Sequence, residues 1–397
     1  MHLIEQSFSS SLPTKIVFGV NCVNNSLVEK IKELKFSKVF VSTDPGLVKS
    51  GTIDKVIKLL NDNKIDTTVF SEVEANPYAE TIMKGSESYK QESCEMIIAI
   101  GGGSPMDFAK AVAVVVSNPG HILDYRRGEK TIENETPLII AIPTTVGTGS
   151  EVTHVSVVTD SEKGRKFVIA SPLIMPEYAF IDPLMTTTLP RHVVAETGAD
   201  ALVHAIEAYT SVRANPITDG LAIQVVKMIS QYLPESYAHP GNLEARSQIH
   251  LASTMAGMAF GLAGVGLVHS CSHPMSARYR VAHGLANAVL LPYVMDYNLI
   301  SNYKKYADLA RVFDSSLVLK SDKYAAESFP KILRDLTESI GIPRDFRVLN
   351  IEFSDEMINQ LAEDALNDVG TIPNNPRKVE KQDIVQIYKK VLQSELK

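Results

Sequence analysis

The chain has 397 residues, 45% of them hydrophobic and 21% charged, with a formal net charge of −7. That length suits two domains, the apolar content is ample for packed cores, and an acidic balance without a Lys/Arg-dense face argues against a nucleic-acid partner. Cys22, Cys94 and Cys271 are scattered and give neither a disulfide framework nor a CxxC knuckle, so a reducing, cytoplasmic setting is expected. There is no basic-then-apolar leader and no run of about eighteen apolar residues, so neither export nor a membrane span is expected.

In chain order, short β-branched runs alternate with amphipathic stretches: KVFVST at 38–43, DKVIKLLNDN, TTVFSEV, AETIMKGSESYKQE and MIIAIGGGS. This is the βαβ rhythm of a parallel sheet with helices on its faces. PLIIAIPTT at 137–145 reads as another buried strand, and EVTHVSVVTD with KFVIAS, joined by the turn-rich SEKGRK, reads as a hairpin. After FIDPLMTTTLP the strand runs give way to long helical periodicity. The expected fold is α/β plus all-α: a parallel-sheet dinucleotide-binding domain over 1–185, an all-helical metal and substrate domain over 186–397, and an active site in the cleft between them.

In MIIAIGGGSPMDFAK a buried strand passes through a glycine turn into a helix. Ser104 is placed to cap that helix, with Asp107 three residues on to complete a capping box. Such a turn points backbone N–H groups at whatever lies above it, and the helix N-terminus favours negative charge. A pyrophosphate suits it, although strand-to-helix glycine turns also occur for purely structural reasons. PTTVGTGSEVT at 143–153 is either a second ligand loop of hydroxyls and glycines or a plain turn before the hairpin. Both loops fall at strand ends, where open α/β sheets place ligands, so a dinucleotide leads the candidates. Asp44 in VFVSTDPG either accepts from a ribose 2′-OH and repels a 2′-phosphate, or caps the turn before Pro45.

Three of the ten histidines, His269, His273 and His283, fall within fifteen positions. His269 and His273 stand four apart, as do Asp200 and His204 in ETGADALVHAIEAYT, and residues at that spacing share a helix face. Aspartate with imidazole suits a divalent cation of borderline softness, zinc or ferrous iron. Either pair alone is better explained by ordinary hydrogen bonding; both pairs with a third histidine point to a metal. Cys271, inside the cluster, reads as a small buried side chain.

With these segments in this order over nearly the whole chain, GGGSPMDFAK, PTTVGTGSEVT, the Asp200/His204 pair and HSCSHP…AHGLANAVLLPYV, the sequence resembles the iron-containing (group III) alcohol dehydrogenase family. The resemblance implies that Asp200, His204, His269 and His283 hold the metal. It makes His273 the non-ligand catalytic histidine beside the nicotinamide, which revises the pairing of His269 with His273 that spacing suggests. It implies NAD(H) contacts at Asp44, Asn76, Gly102, Gly103, Ser104, Asp107, Thr144, Thr145, Thr148 and Lys166, with the acid at position 44 favouring NAD over NADP. Phe260 matches a position lining the substrate pocket. His154 and Val155 replace the Ile and Asn of some relatives near the reacting centre. Arg278 and Arg280 depart from the neutral stretch of many relatives; they either bind an anionic substrate or are solvated or intersubunit.

The implied reaction is reversible NAD(H)-linked hydride transfer between a small primary alcohol or diol and its aldehyde. One Fe2+ or Zn2+ would act as Lewis acid, with His273 relaying the proton. The alternatives are reduction of a small anionic aldehyde such as sulfoacetaldehyde, a dehydroquinate-synthase-like lyase using NAD transiently, and a non-catalytic sensor. The expected partners are a small-molecule alcohol or aldehyde, no nucleic acid, no membrane, and further copies of the chain in a homodimer or larger homo-oligomer.

Overall fold

The structure, a computed structural model, describes residues 8–162 and 165–392. Its strands are β1 (Lys15–Phe18), β2 (Lys38–Ser42), β3 (Asp66–Phe70), β4 (Met96–Gly101), β5 (Ile139–Pro143), β6 (Val155–Asp160), β7 (Arg165–Ala170) and β8 (Tyr178–Ile181). Six of them form one sheet in the order β1-β8-β5-β4-β2-β3, with every pairing parallel. The remaining two, β6 and β7, pair antiparallel as the expected hairpin. The short edge strand β1 and its neighbour β8 lie outside the β-branched runs that the sequence displays most clearly.

Central strands β4 and β5 are buried at every position, as a parallel sheet covered on both faces requires. Alternation along them feeds two cores. Ile97, Ala99, Ile139 and Ala141 pack on the side of α4 (Ala79–Gln91) and α5 (Gly103–Ser117). Ile98, Ile100, Ile140 and Ile142 pack on the side of α1 (Cys22–Glu33) and α3 (Thr52–Asp62), and α2 (Pro45–Lys49) is a short turn of helix after β2. Each such buried aliphatic side chain contributes about 1.5–3 kcal/mol of transfer free energy.

The chain divides into two compact units. Among the described residues, 13–190 with 240–254 make the sheet unit, and 8–12, 191–239 and 255–392 make the other. In the second unit the described residues from Arg191 onward form helices α6 (Arg191–Thr210), α7 (Pro216–Ala238), α8 (Leu243–Ala263), α9 (Leu267–Tyr279), α10 (His283–Asn298), α11 (Tyr303–Phe313), α12 (Asp322–Ser339), α13 (Asp355–Leu366) and α14 (Lys381–Leu392), the first half of α8 belonging to the sheet unit. Among these described residues there is no strand, in keeping with the helical periodicity of the sequence. Local signals set the boundaries. Asn215, for example, accepts from the Ile217 and Thr218 N–H groups ahead of Pro216, which opens α7. Among the described residues no single helix is long and apolar enough to cross a membrane.

Candidate active site and metal centre

In the sheet unit the glycine turn and the threonine loop meet. A Cβ on Gly102 would lie 3.0 Å from Thr145 Cγ2, and one on Gly103 would lie 3.3 Å from Thr148 Cγ2. Only a bare backbone lets the two loops approach so closely. Thr144 N–H donates to the Gly101 carbonyl at 3.0 Å, and Asn76 N–H donates to Ser104 Oγ at 3.2 Å. Ser42 Oγ, at the end of β2, donates to the Pro105 carbonyl at 3.1 Å, which brings the start of the Asp44 turn to the same end of the sheet. Asp44 itself caps α2 by accepting from Leu47 N–H at 3.0 Å, so the capping role is realised.

The expected capping box on α5 is not formed. Gly102 is the N-cap and Ser104 lies inside the first turn. Asp107 instead accepts from Ser150 Oγ at 3.1 Å and from Val157 N–H at 3.2 Å. The glycine run lets the helix begin early, and donors from the loop and hairpin claim the carboxylate. Burial pushes the Asp107 carboxyl up to about 6, against the pull of Lys110. Lys110 is fully buried and donates to the carbonyls of Ser150 and Val155 and the hydroxyls of Ser150 and Thr153. Lys166, opposite Thr159 in the hairpin, has its ammonium pKa lowered by burial, with Asp107 opposing that shift. His154 precedes β6, and its carbonyl accepts from Ser171 N–H at 3.0 Å.

The helical unit gathers the carboxylate and histidines. Asp200, His204 and Glu207 lie on α6 at spacings of four and three, one face of a helix. His269 and His273 lie on α9, and His283 opens α10. Around Asp200 Oδ1 stand three imidazole nitrogens: His283 Nε2 at 3.8 Å, His269 Nε2 at 3.9 Å and His204 Nε2 at 4.0 Å. Asp200, His269 and His283 each offer one ligand atom, all within 4.8 Å of one another. Gly284 makes this approach possible: a Cβ there would lie 2.8 Å from the Glu196 carbonyl carbon of α6, and closer still to its oxygen.

The electrostatics suit a cation. Burial holds the His269 and His283 imidazoles well below their usual pKa, so both are neutral near pH 7 with lone pairs to give. The Asn287 side-chain amide donates to Asp200 Oδ1 at 2.6 Å and stands 3.1 Å from Nε2 of both His269 and His283, a donor set among acceptors. One carboxylate and three imidazoles fit a borderline divalent ion, iron or zinc.

His273 stands apart from this set. Its Nδ1 lies 2.7 Å from Asp368 Oδ2, and its ring stacks on His283 with centroids 5.6 Å apart. Phe260 stacks on His204 at 4.2 Å, an apolar wall beside the centre. Arg278 does not present an unpaired charge: its Nε donates to Asp364 Oδ2 of α13 at 2.6 Å. Arg280 ends α9 in the left-handed conformation, with φ 56.

Residues 13–183 match the sequence family described as iron-containing alcohol dehydrogenase, and residues 194–392 match the C-terminal part of the Fe-containing alcohol dehydrogenase family. The chain belongs to the iron-containing alcohol dehydrogenase family. It is similar to a 1,3-propanediol dehydrogenase of Citrobacter freundii, 39% identical over 96% of this chain and 98% of that protein. An NAD-dependent methanol dehydrogenase of Bacillus methanolicus is 36% identical over 96% and 99% of the two chains. The crystal structure of a 1,3-propanediol oxidoreductase superposes with a TM-score of 0.93 at 37% identity, covering 97% of this chain and all of that one.

Within this family member, three polar residues beside the histidines went unnoticed in the sequence. Glu207 contacts His269, Asp368 contacts His273, and Asn287 contacts Asp200. Asn287 and Glu207 had a signal: each lies at helical spacing from a candidate ligand, four after His283 and three after His204. Asp368 had none, being 95 residues from its partner.

Proposed function

We propose that this protein is a divalent-metal-dependent, NAD(H)-linked dehydrogenase that interconverts a small, uncharged primary alcohol or diol with its aldehyde. The observation that carries this reading is the convergence of Asp200 with neutral imidazoles, while His273 stays outside that cluster and next to it. Asp200, His204, His269 and His283 would hold the ion, Fe2+ or Zn2+. When bound, the ion supplies a Lewis acid for the substrate oxygen and NAD accepts or returns the hydride.

The chain's own residues do the rest. His273 carries the proton between the substrate oxygen and solvent through Nε2, since Nδ1 is engaged by Asp368. Phe260 shields the His204 side of the centre from water. The N–H groups of Gly103 and Ser104, at the start of α5, face the dinucleotide's pyrophosphate. Asn76, Thr144, Thr145, Thr148 and Lys166 line the same rim, and the Asp44 carboxylate disfavours a 2′-phosphate and so NADP. Asp107 holds the threonine loop from behind. The pairing of Arg278 with Asp364 removes the unpaired cation that an anionic aldehyde would seek. The reading extends to a homodimer or larger assembly in a reducing, cytoplasmic setting, which the buried thiols of Cys22, Cys94 and Cys271 suit.

The test is NADH oxidation by short aldehydes after chelation and after reloading with Fe2+ or Zn2+. Steady oxidation that needs the ion supports the proposal. Turnover without net cofactor change, as in a lyase, or activity indifferent to chelation, would refute it.

A further inference from the structure

The imidazole of His269 is gripped from behind. Glu207 Oε2 lies 2.6 Å from His269 Nδ1, and Oε1 accepts the Val268 backbone N–H, also at 2.6 Å. Both residues are buried, Glu207 at 4% exposure and His269 at 3%. Gly266, the N-cap of α9, leaves room for this contact, since a Cβ there would lie 3.2 Å from Glu207 Oε1. One carboxylate therefore caps the start of α9 and engages its first histidine. Asn287 Nδ2 stands 3.1 Å from His269 Nε2, and an amide NH2 can only donate, so Nε2 is the acceptor and the ring proton sits on Nδ1, toward Glu207 Oε2. With that proton on Nδ1, the lone pair of Nε2 faces Asp200 Oδ1, 3.9 Å away.

We propose that Glu207 is a positioning residue of the metal centre, which fixes His269 as its Nδ1–H tautomer and so keeps the Nε2 lone pair turned toward Asp200. This rests on the metal-dependent reading above, but its test does not use alcohol or aldehyde turnover.

Glu207→Gln is the informative change. Glutamine has the same shape but only one acceptor oxygen. The Val268 N–H claims that oxygen, which turns the amide NH2 toward Nδ1 and forces the proton of His269 onto Nε2, pointing into the ligand set. Competition with a chromogenic chelator should show Zn2+ and Co2+ binding weakened about 10- to 100-fold. Thermal unfolding of the chelated variant should stay within a few degrees of the chelated wild type. The 15N spectrum of histidine-labelled, chelated protein should show His269 as Nδ1–H in wild type and Nε2–H in the variant. Glu207→Asp, which keeps two carboxyl oxygens, should recover part of the affinity. Wild-type metal affinity in Glu207→Gln would overturn the proposal, as would an Nε2–H His269 in the wild type. If Glu207→Gln does not fold, the wild-type spectrum and the Asp variant decide. Failure of the dehydrogenase reading would appear separately, as intact metal binding without NADH oxidation.

Discussion

His273 Nδ1 lies 2.7 Å from Asp368 Oδ2, one helical turn beyond the point where His269 Nδ1 lies 2.6 Å from Glu207 Oε2. Two histidines of one helix are thus oriented through the same ring atom by carboxylates from different elements. One is buried; the other, with a side chain 41% exposed, opens to solvent.

On the proposed function, that contrast separates holding an ion from moving a proton. His273→Ala should lower kcat about 10²-fold while metal content, measured by elemental analysis, stays at the wild-type level. Asp368→Ala should lower kcat about tenfold with little change in KM, since the ring remains but is no longer aimed. Loss of the metal from His273→Ala would remove the relay role.

Asp44 caps α2 and, in the proposed reading, repels a 2′-phosphate, two roles that one substitution can separate. Asparagine caps helices as well as aspartate does, so Asp44→Asn should leave the α2 cap and the melting temperature unchanged. It removes the charge that repels a 2′-phosphate, and the ratio of kcat/KM for NADPH over NADH should rise about tenfold. An unchanged ratio would mean that Asp44 is a cap and nothing more.

Arg278→Ala should be nearly silent. The pair with Asp364 is partly exposed, with side chains 45% and 32% accessible, and such pairs contribute about 0–1 kcal/mol. Reduction of neutral and anionic C2 to C4 aldehydes should change by less than about twofold, consistent with a small solvated ion pair. A selective loss on the anionic aldehydes would restore anion binding at this position.

Acid should weaken the sheet unit through His250. Burial, aided by the charge of Arg246, brings this imidazole down to about 3 from its usual 6.5. Below pH 6.5 the unfolded chain takes up a proton that the folded chain refuses, so stability falls as pH drops from about 6.5 toward 3. The slope from this group is about 1.4 kcal/mol per pH unit. Urea unfolding of chelated protein between pH 6.5 and 4.5 should show a slope shallower by that amount in His250→Leu. Equal slopes would show that His250 is protonated in both states.

Much of this is legible in the sequence alone. The runs at β2, β4 and β5 announce strands because a covered parallel sheet demands unbroken apolar residues. Asp200 with His204, and His269 with His273, stand out because helical spacing is written into sequence distance, whereas the choice of His283 over His273 as a ligand rests on the family resemblance. β1 and β8, each with four residues, are too short to give a pattern. The Ser104–Asp107 capping box follows a sound local rule but yields to two distant donors, Ser150 and Val157, that no local rule contains. Asp368 is invisible for the same reason: its chemistry comes from a partner elsewhere in the chain.

Gly284 brings the main chain of α10 against that of α6 at Glu196, four residues before Asp200. A side chain any larger at position 284 would have to part the two helices, and with them the turns that carry Asp200 and His283.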